Sequence, residues 1–582
     1  MRHLAAHKNS RSLRSLFTLY IAAILLAGCG GGGVSAPQPQ PQPQPPTVSS
    51  VFNSDVKTSR FLGKATFGAT LTDINSLTGT EVSNWIKGEF NKPATHYLPV
   101  IITEIQALAD GDRLPNRRIS DHFFDAAISA NDQLRQRVVL ALSEIIVVSN
   151  GGQLGNNPAT MAHYMDILSD QAFGNYRDLL EDITYSPAMG FYLTYIANQK
   201  GDPETGRVPD ENYARELMQL FTLGLLELNL DGTHKLDDQG EPIEIFNNSD
   251  ITGLAKVFTG LSYENNDFGQ RGNDRSATYR PLVVFSAQHS QLEKAFLGTT
   301  IPANTNGRRS IDQALDAIFQ HGNMAPFLSR QLIQRLTASS PSPAYVQRVS
   351  RSFEEGTFVL PDRSVVGTGE RGDMQATIAA ILLDADALQD PATAPAESGK
   401  IREPMVRIIN WARAFNETTP NAHDERLLGN LSTIGQHPFR SPSVFNFFRP
   451  GFIAPGSETA AAGLTAPELQ IMNESSSIAY INTINAFIYE RANNYSDDPE
   501  GGVNPDYRGE TAIAHDGAAL INRLDLILTG GSLNAETRAR ILSMMDQVPV
   551  RAGTNDEAAD RLARVRLTIT MVMTAPGYLV QR

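Results

Sequence analysis

The sequence predicts a mainly α-helical, multi-lobed body with a few short β-hairpins. Three observations carry this expectation. Apolar side chains recur at helical spacing along most of the chain beyond residue 51. Capping residues and stop glycines bound several of those stretches. The 582-residue length exceeds what one hydrophobic core usually holds, while 41% hydrophobic and 8% aromatic residues suffice for a sizeable interior.

Leu134, Val138, Val139, Leu142, Ile145 and Ile146 mark the first strong amphipathic helix, with Arg135, Arg137 and Glu144 between them. Residues 161–168 and 176–183 give two more, separated by Gly174. Asp210 is the expected N-cap of a helix running to Leu223, with Gly224 as its stop. Asp250 begins a helix through Val257. Further helices are expected at 311–319, 325–336, 344–353, 374–383 and 404–415. Residues 226–245, with Asp231-Gly232 as a turn, and 357–366, around Pro361-Asp362, read as hairpins, and 282–285 as a strand. A polar linker at 493–510 sets off a C-terminal helical unit at 511–582 from a main helical body at 53–492.

The amino terminus reads differently. Arg2, Lys8, Arg11 and Arg14 precede an apolar run from Leu16 to Leu26, too short for the roughly 20 residues that span a bilayer. Leu26-Ala27-Gly28-Cys29 has the form of a lipobox, so residues 1–28 are expected to be a lipoprotein signal peptide. Cys29, the only cysteine in the chain, would then carry lipid at the mature terminus. Acyl burial is worth about 0.8 kcal/mol per CH2, and two chains make anchoring stable. Gly-, Pro- and Gln-rich residues 29–52 read as a flexible stalk. Gly30 in place of an aspartate after Cys29 predicts the outer membrane of a Gram-negative cell, with the body in the periplasm or at the surface.

Removing residues 1–28 takes away four cations and no anion, moving the formal balance from −14 to −18. So acidic a surface argues against nucleic acid and against electrostatic docking on anionic lipid. A single cysteine excludes intrachain disulfides, thiol-ligated metals and, once acylated, a thiol nucleophile.

Several peptides resemble the bacterial domain-of-unknown-function family 1800. They are Arg60-Phe61-Leu62-Gly63-Lys64-Ala65-Thr66-Phe67-Gly68, the stretch 133–149 (QLRQRVVLALSEIIVVS) and the stretch 209–224 (PDENYARELMQLFTLG). Residues 399–404 (GKIREP), 441–448 (SPSVFNFF) and the ending around 563–566 and 576–579 also fit, so the likeness spans residues 60–582. The resemblance implies a predominantly helical exported protein with no established activity. It also implies association with a second exported family that looks like sulfatases and phosphatases, and hence a partner protein.

Two residues are candidates for chemistry. On a 3.6-residue wheel Tyr213, Leu217, Leu220, Phe221 and Gly224 form one face, Arg215 points away and Glu216 sits on the rim. A carboxyl there is partly desolvated, which raises its pKa toward general-acid range; the other reading is an ion pair that orders helix packing. Relatives often carry Glu-Leu-His-Thr-Leu-Gly, whereas Gln219 and Phe221 stand here in place of the second carboxylate and the histidine. His289, in a loop after the apolar run 282–285, is a usable base or a loop-closing residue. The family pattern is His-Asp…Lys…Leu-Gly; Lys294 and Gly298 match it, while Ser290 replaces the aspartate.

Lys400, Arg402 and Glu403 could grip an anionic group, with Lys294 as further electrostatic support, or form an ion-pair hub between lobes. Arg330, Arg335, Arg348 and Arg351 read as a basic row or as partners of neighbouring carboxylates. Phe439, Phe445, Phe447, Phe448 and Phe452 make either a stacking platform or a set of core anchors.

No metal or other cofactor is expected: the eleven histidines form no His-Glu-x-x-His, and no nucleotide loop or nucleophile elbow occurs. Asp231-Gly232 and 237–240 lack the ligand pattern of an EF-hand and read as polar turns. Two function classes stay open. One is a binding or assembly protein working with an exported partner at the envelope. The other is a hydrolase of an envelope or extracellular polymer that uses Glu216 and His289.

Overall fold

Helices dominate because apolar side chains recur at helical spacing and find other helices to cover them. In the computed structural model, residues 51–415 apart from 266, 271 and 273, residues 431–489 and residues 504–582 are described. The stretches expected as signal peptide and stalk up to residue 50, Cys29 included, and residues 493–503 of the expected linker lie outside them. Residues 47–582 form one compact unit. Val51 and Phe52, placed in the stalk by composition, belong to the body: Phe52 is fully buried, edge-on to Phe61 at 5.4 Å and Trp85 at 6.4 Å.

The helix Gln133–Ser143 is buried on almost every side, and its neighbour Pro158–Gln171 nearly so. Around them pack Arg118–Ser129, Tyr176–Thr184 and Met324–Leu336, and Met374–Leu382 packs on the last of these; most of the last two is also sealed from water. A helix polar at several of its positions yet buried all round must satisfy its charges internally. That requirement locates the ionic cluster described below.

The small β content is antiparallel. Strand β1 (Leu261–Ser262) pairs with β2 (Val283–Val284), and β3 (Lys294–Phe296) with β4 (Thr299–Ile301). Strand β5 (Phe358–Val359) pairs with β6 (Val365–Val366) across the Pro361-Asp362 turn. Strand β7 (Lys400–Ile401) pairs with β8 (Val580–Gln581), which stitches the last residues of the chain onto its middle. The helices from Arg508 onward therefore pack within the same unit, and buried Tyr507 lies inside the stretch that composition marked as linker. Residues 226–245 form a ribbon held by isolated bridges, Leu226 to Glu244 and Leu228 to His234 among them.

Two helix starts differ from the sequence reading. Asn247 caps the helix Asn248–Ala255, and Asp250, its third residue, completes the capping box by accepting from the Asn247 N–H at 2.9 Å. Asp210 accepts from the Asn212 N–H at 2.8 Å in a turn that precedes the helix Asn212–Glu216. That helix then widens into a π turn, Leu217–Thr222. The wider turn rotates the residues beyond Glu216, burying Met218 and leaving Leu220 half-buried, so the 3.6-residue wheel misplaces them. Gly224 ends it at φ +82°, where an added Cβ would sit 2.8 Å from the Phe327 ring.

Candidate functional site

A small cluster of charged residues lies in the interior. Lys400, pointing inward from β7, lies 2.6 Å from Glu468 and 3.3 Å from Glu403, and also donates to the Gln334 carbonyl at 2.8 Å. Arg335 Nε lies 3.1 Å from Glu144, the residue that ends the Gln133–Ser143 helix. Arg137, two turns earlier on that helix, donates to the Arg335 carbonyl. Gln436 bridges the two central carboxyls, donating to Glu144 at 3.0 Å and to Glu403 at 2.7 Å. Ser339 donates to Glu468 at 2.9 Å and accepts from the Ile401 N–H at 2.9 Å, which ties the cluster to β7. All of these ionic side chains are buried.

Burial raises the Glu144 carboxyl well above the ordinary carboxylate range, and the neighbouring Glu403 charge raises it further. For Glu403 burial acts the same way, but Lys400, a hydrogen bond with Glu144 and the guanidiniums of Arg137 and Arg335 overturn it and hold its pKa low. The pair thus shares one proton, with Glu144 the acid and Glu403 the carboxylate. Buried charges in such a cluster are costly to leave unpaired.

Arg402 is buried too, with its guanidinium 4.7 Å from the centre of the Tyr578 ring and donating to the Leu528 carbonyl at 2.9 Å. The signature peptide thus divides its charges: Lys400 and Glu403 enter the ion-pair hub, whereas Arg402 stacks on an aromatic ring. The basic row also disperses. Arg335 joins the hub, where it lies 4.8 Å from the Phe448 ring, and Arg348 pairs with Asp384 at 2.6 Å. Of the aromatic loop, Phe439 and Phe448 are core anchors, the former 5.3 Å from Phe123, while Phe445 is exposed beneath Arg449.

The two residues expected to do chemistry are both buried, and no hydrogen bond joins them. Glu216, at the junction of the α and π turns, is 7% exposed, and its Oε2 is buried with no hydrogen-bond partner. Burial raises its pKa, opposed only by Arg215. His289 is fully buried; its Nδ1 lies 2.9 Å from the Thr259 carbonyl, so Nδ1 carries the proton and Nε2 is left without a partner. Burial lowers its pKa, and Lys294 lowers it further. Neither group shifts the other. Lys294 closes its own loop, donating to the carbonyls of Ser290 at 3.0 Å and Leu292 at 3.1 Å. Its charge faces main-chain oxygens rather than a ligand.

With this geometry in place, comparison with known proteins gives one match. The model of a family described as protein of unknown function, DUF1800, matches residues 60–580. The chain belongs to the DUF1800 family. No curated protein and no solved structure matches it. Two of the peptides that carry the family likeness, 133–149 and 399–404, supply Arg137, Glu144, Lys400 and Glu403 to the hub.

Sequence reasoning passed over Lys64, inside the first family peptide. It is buried, donates to the Ala387 carbonyl and lines a cavity of about 330 Å³ with Ser340, Tyr345 and Asp386; burial, with a smaller contribution from Arg60, lowers its pKa to about 8. Its place on a buried helix face, among Phe61, Leu62 and Ala65, was the available signal. Among the described residues no three His, Cys, Asp or Glu side chains gather as a metal ion would need, and no helix is long and apolar enough to cross a membrane.

Proposed function

We propose that this DUF1800 protein is a membrane-anchored exported lipoprotein that binds or assembles with an exported partner at the cell envelope. Acyl chains on Cys29 hold it at the outer membrane, with the body in the periplasm or at the cell surface. The partner is a sulfatase-like or phosphatase-like exported protein. One observation supports binding over catalysis: the most plausible acid–base residues, Glu216 and His289, are withdrawn from solvent, and neither shifts the other's pKa. A general acid or base must reach the proton it transfers.

The hydrolase reading retains one specific support, the partnerless Glu216 Oε2 on a carboxyl whose raised pKa favours its acid form. Pull-down mass spectrometry on the lipidated chain from gently solubilised membranes tests the binding reading. Recovery of one exported companion under mild crosslinking is the expected result. A monomer with no companion, together with polymer cleavage that Glu216→Gln abolishes, favours the hydrolase.

A further inference from the structure

The segment that feeds Lys400 and Glu403 into the hub has a second face. Ile401, Arg407, Met472, Tyr480, Ile481 and Leu579 line a cleft of about 360 Å³, within the few hundred Å³ common for small-molecule sites. Its walls are mostly aliphatic. At the rim Ile481 is 43% exposed, and Ile478, one turn before it on the same helix, is 62% exposed.

Arg407 is anomalous among those walls. It is only 4% exposed, its Nε is buried without a hydrogen-bond partner, its Nη2 lies 3.5 Å from the Met472 sulfur, and its one further side-chain hydrogen-bonding neighbour is the uncharged Tyr480. The Tyr480 ring lies 5.0 Å from its guanidinium. Arg402, nearby, is also buried, and Tyr578 joins the two by facing the Arg402 guanidinium and donating to the Arg407 carbonyl at 2.6 Å. Among the described residues no carboxylate reaches ion-pair distance of either guanidinium. Glu468, the acid that acts on Arg407, already pairs with Lys400 and Ser339. Two buried cations without a counter-ion are expensive, and an entering anion would remove that cost. The planar guanidinium suits a carboxylate, and the aliphatic walls suit a hydrocarbon chain.

We propose that this cleft binds a medium-chain aliphatic carboxylate, with its head on Arg407 and its chain along Ile401, Met472, Ile481 and Leu579. The site goes beyond the partner reading and does not depend on it.

The test is photolabelling of the full-length protein in its own membranes with a diazirine-bearing dodecanoate, followed by peptide mapping. Label is expected within 469–481 and 574–580, with dodecanoate competing at a concentration about tenfold below that of 1-dodecanol. Arg407→Gln should reduce the labelling about tenfold. Should that variant fail to fold, Ile481→Trp, which crowds the mouth and keeps the cation, should reduce it instead. Label spread evenly along the chain, or equal competition by the alcohol, overturns the proposal. Retention of the exported companion by Arg407→Gln separates failure here from failure of the partner reading.

Discussion

Lys400 carries much of the hub's electrostatic order, since it is the ammonium against which both Glu403 and Glu468 are packed. Lys400→Met leaves two buried carboxyls short of a partner, and a loss of about 3–5 kcal/mol of unfolding free energy is expected by chemical denaturation. The proton shared by Glu144 and Glu403 has a separate signature. Glu144 is raised above its ordinary value of 4.5, so its contribution is complete below that pH and is lost as pH rises through the folded value. Glu403 is lowered, so its contribution is present above 4.5 and is lost as pH falls through its folded value. Glu144→Gln keeps a neutral donor toward Glu403, and it should flatten the fall in denaturation midpoint as pH rises above 4.5. An unchanged slope would place the shared proton elsewhere. The sequence offered Lys400, Arg402 and Glu403 as an anion grip or an ion-pair hub, and spacing alone could not choose. Their partners Glu144, Arg335 and Glu468 lie far along the chain, so only tertiary structure brings them into reach.

Helices with a clear apolar face were legible: Tyr176–Thr184, Met324–Leu336 and Met374–Leu382 fall within two residues of their expected bounds. The stretch after Glu216 was not, because a π turn breaks the periodicity from which such readings are made. Its end depends on Gly224, whose positive φ and closeness to Phe327 leave no room for a side chain. Gly224→Ala is therefore expected to cost roughly 1–3 kcal/mol, visible as a lowered denaturation midpoint. Capping residues were read one turn out at Asp250, since Asn247 and Asp250 act reciprocally and either alone satisfies a cap pattern. The short strand β8 was not anticipated, because two residues carry no periodic signal. Removing residues 580–582 unpairs β7, beside the hub, and should lower the midpoint, whereas an equal deletion within the exposed 237–241 turn should not.

Across the whole molecule, the mainly helical class follows from composition and periodicity, and the family match over residues 60–580 accords with the resemblance carried by its peptides. Candidate chemistry was harder to read, since a charged residue in a sequence is indistinguishable from one that will be buried and paired. Glu216 and His289 drew attention by residue type, yet the fold withdraws both from solvent. The cellular address rests on Cys29, and it makes a separate prediction. Cys29→Ser should move the protein from the membrane to the soluble fraction; unchanged membrane retention contradicts lipid anchoring. The central proposal is that this body binds an exported companion. Its most direct test is pull-down mass spectrometry comparing the lipidated wild type with Glu216→Gln. The account predicts the same exported companion, in the same amount, from both. Monomer alone from both proteins would contradict it.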